Sequence, residues 1–214
     1  MTLSIDMVQD SYPKTGLAVD GPNARTRESF RESGASVYAE VGVYEGDTTL
    51  AIAEELAGQG EIHLFDFADK VEPVARRLKR AGHDNVVCHP NSRKIMDSYN
   101  WSLMALLREH GEPLFEYVFL DGAHTWAADA LAFMLIDRLL KPGGWIEFDD
   151  YHWTIENSPS MNARAFPSVA RLYTDEQMRE PQVKLVVDLL VRPDRRYKEV
   201  EENRVFRKRE QRKR

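Results

Sequence analysis

Apolar and polar positions along the chain switch repeatedly between a strand-like and a helix-like period. Short apolar runs lie at 37–41, 61–67, 86–89, 117–120 and 145–148, and after each of the first four the apolar residues recur at helical spacing, predicting helices over 48–56, 69–81, 99–110 and 126–140. In the third of these helices Trp101, Met104 and Leu107 form the expected inward stripe. Gly58 and Gly60, Gly82, Pro113 and the run Lys141-Pro142-Gly143-Gly144 stop the helices in turn. Strands that alternate with helices require a parallel sheet covered on both faces and joined by right-handed crossovers. Beyond it the pattern predicts a helix over 165–178, an apolar strand over 183–191, a turn at Pro193-Asp194 and a last strand near Val205-Phe206. The expected fold is a doubly wound, mostly parallel α/β sheet with an antiparallel C-terminal edge hairpin.

Three segments follow from this pattern: an arm and short helix over 1–36, the α/β domain over 37–206 and a basic tail over 207–214. Within the arm, Asn23 caps the expected helix, and Tyr12 and Lys14 could reach a substrate. At 214 residues and 43% hydrophobic the chain has material for one sizeable core. A formal charge of −6 argues against a general nucleic-acid binder. From Arg204 to Arg214 there are seven basic residues and one acid, so the other residues carry about −12; such a block reads as a solvated tail or a docking arm. A single cysteine, Cys88, excludes an internal disulfide, and no apolar run approaches the ~20 residues of a membrane span. A cytoplasmic protein is expected. Pairing of exposed sheet ends would give a homo-oligomer, which the sequence does not decide.

Ligands of such sheets bind at the carboxyl ends of the strands. There the first strand breaks into Gly42 and Gly46, two positions where backbone can pass a ligand without a Cβ in the way. A dinucleotide turn would carry a third glycine, and the acid Glu40 would repel a diphosphate, so the turn suits an amino group or another cation better than phosphate. Asp66 lies twenty residues after Gly46 at the end of the second strand, a position from which a carboxylate can hold both ribose hydroxyls. Asn91 and Ser92, at the third strand's end, could hydrogen-bond a base edge or simply form a turn after Pro90. Asp121, Asp149 and Asp150 come from two strand ends expected to be neighbours; converging carboxylates repel unless a cation sits among them, and hard oxygen donors favour Mg²⁺ or a similar ion. The alternative has Asp149 and Asp150 capping the next helix and pairing with Arg164.

Taken in order, Glu40-x-Gly42-x-x-x-Gly46, Asp66, Asp121-Gly122 and Lys141-Pro142-Gly143-Gly144 resemble class I S-adenosylmethionine-dependent methyltransferases over about residues 37–151. The resemblance implies a Rossmann-like methyltransferase sheet in which Gly42 and Gly46 admit the methionine part of the cofactor. It further implies that Asp66 holds the ribose, that Asn91 or Ser92 contacts adenine, and that Glu40, Tyr44 and Asp121 complete the donor site. Asp121-Gly122-Ala123-His124 with Asp149-Asp150-Tyr151 is similar to the small-molecule O-methyltransferases of natural-product pathways, the macrocin-type and cephalosporin-hydroxylase-like group. In those relatives comparable acids bind a divalent metal, which carries Asp121, Asp149 and Asp150 over as ligands. His124 and His152 lie close beyond these acids, and either could take the proton of an acceptor hydroxyl, with His124 preferred. Trp126, Tyr151 and Trp153 are candidate walls for a small hydroxylated acceptor. Two other readings stand beside this one: a metal-independent N- or O-methyltransferase with a histidine base, and a cofactor-binding module without turnover.

Overall fold

A computed structural model describes residues 23–210; Tyr12 and Lys14 of the arm and the last four residues of the tail lie outside it. Strands β1 (Val37–Val41), β2 (Glu61–Phe67), β3 (Val86–Asn91), β4 (Phe115–Leu120) and β5 (Leu140–Phe148) alternate with helices. Helix α1 (Ala24–Ser33) precedes β1, and α2 (Asp47–Leu56), α3 (Ala68–Arg80), α4 (Tyr99–His110) and α5 (Trp126–Leu139) form the crossovers. Two more strands, β6 (Tyr197–Glu201) and β7 (Val205–Lys208), close a seven-stranded sheet of order β3-β2-β1-β4-β5-β7-β6. Strands β1 to β5 are parallel, whereas β7 runs antiparallel to both β5 and β6. The direction of strand addition reverses at β1: the chain runs outward from β1 to β2 and β3, then returns through α4 to place β4 on the other side of β1, so the β1–β4 boundary is the topological switch point at which open α/β sheets bind ligands.

Alternation along the strands separates two apolar layers. Tyr38, Ile62, Leu64, Tyr117 and Phe119 pack with α1, α2 and α3 on one face. Ala39, Val41, Phe65, Val118 and Ile146 pack with α4, α5 and the chain after 182 on the other. Glu40 and Glu147 interrupt the first layer, each a buried acid in the middle of a strand.

Four expectations change. The run 183–191 is not a strand but a helix, α8 (Gln182–Val186), continuing into a π-helical turn at Val187–Val191. Its β-branched composition suggests a strand, yet the buried positions Val183, Val186, Val187 and Val191 follow helical spacing, and that face docks on α5. The edge hairpin is therefore β6–β7. The helix expected over 165–178 divides into α6 (Val169–Leu172) and α7 (Asp175–Arg179), because Thr174 starts a new helix with a capping box to Gln177. In α4 the inward residues are Leu103 and Leu106, while Trp101 is 66% exposed and Met104 only half-buried. Lys141–Gly144 is counted within β5, but the pairing with β4 shifts register there, so the expected turn survives as a bulge before Trp145.

Leu103→Ala is expected to cost ~2–5 kcal/mol in urea unfolding and Trp101→Ala less than ~0.5 kcal/mol. The reverse ranking would mean that α4 packs through its other face.

Candidate active site

The turn after β1 and the turn after β4 touch through backbone alone. Gly42 has φ +88°, its N–H donates to Phe65 O at 2.9 Å, and a Cβ built on it would lie 1.7 Å from the carbonyl oxygen of Asp121. Gly46 has φ +75° and starts α2; a Cβ there would overlap the Val74 side chain at 2.5 Å. Both glycines are thus required by contact and by torsion. Asp66 stitches the same turn from β2: its Oδ2 accepts from the N–H groups of Val43 at 2.8 Å and Tyr44 at 3.3 Å, and its Oδ1 from Phe67 N–H at 2.7 Å. Tyr44 is exposed, has φ +49°, and lies under the Lys70 ammonium 4.5 Å from its ring centre.

Glu40 is buried beneath this turn, where its Oε2 accepts from Thr49 Oγ1 at 2.7 Å and Tyr38 OH at 3.1 Å. Burial pushes its carboxyl up to about 8; the two hydrogen bonds oppose the shift, and the charges of Asp66 and Glu147 add to it. At neutral pH the group is largely protonated unless a cation arrives nearby.

Asp121, His124 and Asp150 converge above β4 and β5, with one donor atom of each lying within 4.8 Å of the others. His124 Nε2 lies 3.7 Å from Asp121 Oδ1 and 3.4 Å from Asp150 Oδ2. Loss of solvent, then the charges of Asp149 and Asp150, push Asp121 well above the usual carboxylate range, and burial raises Asp150 against the opposing His124 imidazole. His124 and Asp150 hold left-handed backbone, φ +55° and +56°, a strained conformation for side-chain-bearing residues that concentrates at functional sites. Two carboxylates and an imidazole, with mutual repulsion to relieve, fit a divalent cation.

Asp149 stands apart from that group. Its Oδ1 accepts from Arg204 Nη1 at 3.2 Å, so the cation it meets is Arg204 rather than Arg164. His152 is exposed and lies outside the cluster; with Tyr151 and Trp153 it lines a cavity of about 460 Å³ that reaches Asp150. Trp126 is 39% exposed, and its backbone N–H donates to Gln182 Oε1 at 2.7 Å. At the end of β3, Asn91 is buried with its amide donating to Ser102 at 3.0 Å, and its Oδ1 has no hydrogen-bond partner. Ser92 donates through N–H and Oγ to Asp97, at 2.8 and 2.6 Å. A second cavity of about 490 Å³ opens there between Ser92, Met96, Asp97 and the exposed Trp101.

Residues 39–151 match the family model described as "Methyltransferase domain". The chain belongs to that methyltransferase family. No curated protein matches it by sequence. Among solved structures, a Klebsiella pneumoniae protein provisionally described as an O-methyltransferase is 17% identical over 96% of this chain and 86% of its own, with a TM-score of 0.59. A Podospora anserina methyltransferase solved with S-adenosylhomocysteine is 19% identical over 87% and 76%, with a TM-score of 0.57. The O-methyltransferase TomG of Streptomyces achromogenes, solved with S-adenosylmethionine, is 18% identical with a TM-score of 0.49, and this chain covers 69% of itself and only 65% of TomG's length. The first two likenesses, at these identities, establish a Rossmann-like methyltransferase fold.

Four residues that brace these groups have no such role in the sequence reading: Asp129, Glu147, Tyr99 and Arg204. Asp129 is buried on the inward face of α5, where its Oδ1 accepts from Tyr99 OH at 2.5 Å and from Ala123 N–H at 3.3 Å, fixing the loop that carries His124. Its signal is an acid in phase with the apolar stripe Ala132, Phe133 and Ile136. Glu147 has a comparable signal, an acid inside an apolar strand, whereas Tyr99 and Arg204 have none that spacing could supply.

Two outcomes follow. Gly42→Ala is expected to cost at least ~2 kcal/mol and lower the melting temperature, since the Asp121 carbonyl must move; an unchanged melting curve would show that the two turns do not touch. Glu40 binds its proton more tightly folded than unfolded, so its contribution is fully present below its ordinary value of 4.5 and is lost as pH rises through about 8. Between those limits native stability is expected to fall relative to Glu40→Gln by up to ~1.4 kcal/mol per pH unit, read by urea unfolding at pH 5 to 8.5.

Proposed function

We propose that this protein transfers a methyl group from S-adenosylmethionine to a hydroxyl of a small acceptor, with a divalent cation held beside the acceptor oxygen. The observation that carries the reading is the backbone contact of Gly42 with Asp121: it sets a turn open to a flat nucleoside ligand directly against a cluster of acids and imidazole. Asp66 is on the rim of that turn to bind the ribose hydroxyls; Gly42 and Gly46, whose missing Cβ atoms make room for the Asp121 carbonyl and the Val74 side chain, shape the turn beside which the methionine portion would lie, and Tyr44 flanks it. The buried Glu40 lies near the cationic end. Asn91 offers its unpartnered Oδ1 and Ser92 its exposed position toward adenine, with Trp101 beside the second cavity. Asp121 lies between donor and acceptor sides.

Methyl transfer needs an acceptor oxygen in line with the sulfonium methyl; the oxygen's lone pair forms the new C–O bond as the C–S bond breaks, and the thioether leaves. His124 Nε2 is placed to receive the acceptor proton, and Asp121 and Asp150 stabilise the imidazolium that results. His152, on the cavity wall, is the second base by position. With His124 kept as the base, Asp121, Asp149 and Asp150 would hold the cation, which when bound would lower the pKa of the acceptor hydroxyl. Tyr151 and Trp153 line the acceptor side.

A metal-independent reading has one observation in its favour. His124 already lies between Asp121 and Asp150, and Arg204 already meets Asp149, so the acids have cationic partners from the chain itself. Calorimetry with S-adenosylhomocysteine, repeated with Mn²⁺ and with EDTA, separates the readings. Cofactor-product binding in all conditions, with heat of Mn²⁺ binding lost in Asp121→Asn, supports the metal-assisted enzyme. Absence of S-adenosylhomocysteine binding would overturn the cofactor assignment, and turnover unaffected by EDTA would favour His124 acting alone.

A further inference from the structure

Arg204 reaches the site from the far end of the sequence. It lies just before β7, where its carbonyl accepts from Phe148 N–H at 2.9 Å, and its side chain is 12% exposed. The guanidinium is fully engaged: Nε donates to Glu147 Oε1 at 2.7 Å, Nη1 to Asp149 Oδ1 at 3.2 Å, and Nη2 to Thr26 Oγ1 at 3.1 Å. Glu147 has no exposed side-chain surface, and it also accepts from Tyr117 OH and from Thr26 Oγ1 at 2.8 Å. A carboxylate so far from water is tolerable only when paired, so Arg204 cannot leave without stranding it. Glu147 therefore anchors Arg204, and Arg204 in turn fixes Asp149, whose backbone N–H is already bound to Leu120 O at 3.1 Å.

We propose that Arg204 is a positioning residue for Asp149: it holds Oδ1 and leaves Oδ2 as the oxygen with which Asp149 meets a divalent cation beside Asp121 and Asp150. This inference rests on the metal-assisted reading above. Arg204 touches neither the cation nor a reacting atom. Its two influences on a cation have opposite signs. As a positive charge it opposes divalent binding; as a rigid planar fork it orients a ligand and favours binding. Lysine keeps the charge and loses the fork, so Arg204→Lys isolates orientation from charge.

Mn²⁺ titration in the presence of S-adenosylhomocysteine, followed by electron paramagnetic resonance, tests the proposal on the full chain. Arg204→Lys is expected to weaken Mn²⁺ binding ~10–100-fold while S-adenosylhomocysteine affinity stays within about twofold. Asp149→Asn, which can still accept from Arg204 but has lost the charge on Oδ2, is expected to weaken Mn²⁺ at least as much. In that background Arg204→Lys should add nothing further, because the two act through one carboxylate. Unchanged or tighter Mn²⁺ binding in Arg204→Lys overturns the proposal, and so does a full additional loss in the double variant. Should Arg204→Lys not fold, unchanged Mn²⁺ affinity in Asp149→Asn overturns it instead. A native chain that binds S-adenosylhomocysteine but no Mn²⁺ removes the metal-assisted reading and this inference with it; native binding with unaffected variants removes this inference alone.

Discussion

The approach of the turn after β1 to the turn after β4 depends on one absent carbon atom. Because Gly42 carries no Cβ, the turn after β1 lies against the carbonyl of Asp121, closer than any other residue type allows. The parallel ladder enforces the same approach from below: Asp121 N–H donates to Val41 O at 2.8 Å and Asp149 N–H to Leu120 O at 3.1 Å, so three successive strand ends step across the sheet in register. The turn after β1 and the strand ends of β4 and β5 are consequently tied to one another through backbone. Loops could vary around them without changing that spacing, since it is set by backbone.

Beneath these turns the protein holds two acids on one face of the sheet, Glu40 in β1 and Glu147 in β5, in a layer otherwise made of aromatic and aliphatic side chains, Tyr38, Tyr117, Phe119 and Phe30 among them. The two are treated differently. Burial raises both carboxyls; at Glu147 the Arg204 guanidinium opposes the shift, whereas Glu40 has only hydroxyl donors to oppose it and is raised to about 8. Phenolic groups serve both, Tyr38 for Glu40 and Tyr117 for Glu147, with the rings packed edge-on to Phe30 of α1. Helix α1 is thus more than a lead-in to the sheet: through Phe30 and Thr26 it closes the polar layer on which the upper site stands.

The central α/β alternation was legible because strands buried on both faces read as continuous apolar runs and glycines mark their ends. The positions of Gly42, Gly46, Asp66, Asp121, His124 and Asp150 at or just beyond strand ends could be read because strand ends are predictable places. What could not be read is what depends on non-local partners. Asp149 and Asp150 are adjacent and chemically identical in sequence, yet one meets Arg204, 55 residues away, and the other meets His124. The segment 183–191 failed for a different reason: composition argued for a strand while spacing argued for a helix, and packing against α5 followed the spacing. Trp101 failed because a large aromatic ring is a strong prior for burial, whereas here it borders an open cavity.

The left-handed backbone at His124 and Asp150 limits what chemistry these two positions could ever acquire. Apart from glycine, the residues that enter that region most readily are asparagine, aspartate and histidine. Branched aliphatic residues are kept out by torsion before any question of function arises. The alphabet left to variation at both corners consists almost wholly of side chains bearing oxygen or nitrogen donors. A lineage that drifted at these positions would exchange one donor for another, or lose the side chain to glycine, and would rarely convert the corner to an apolar wall.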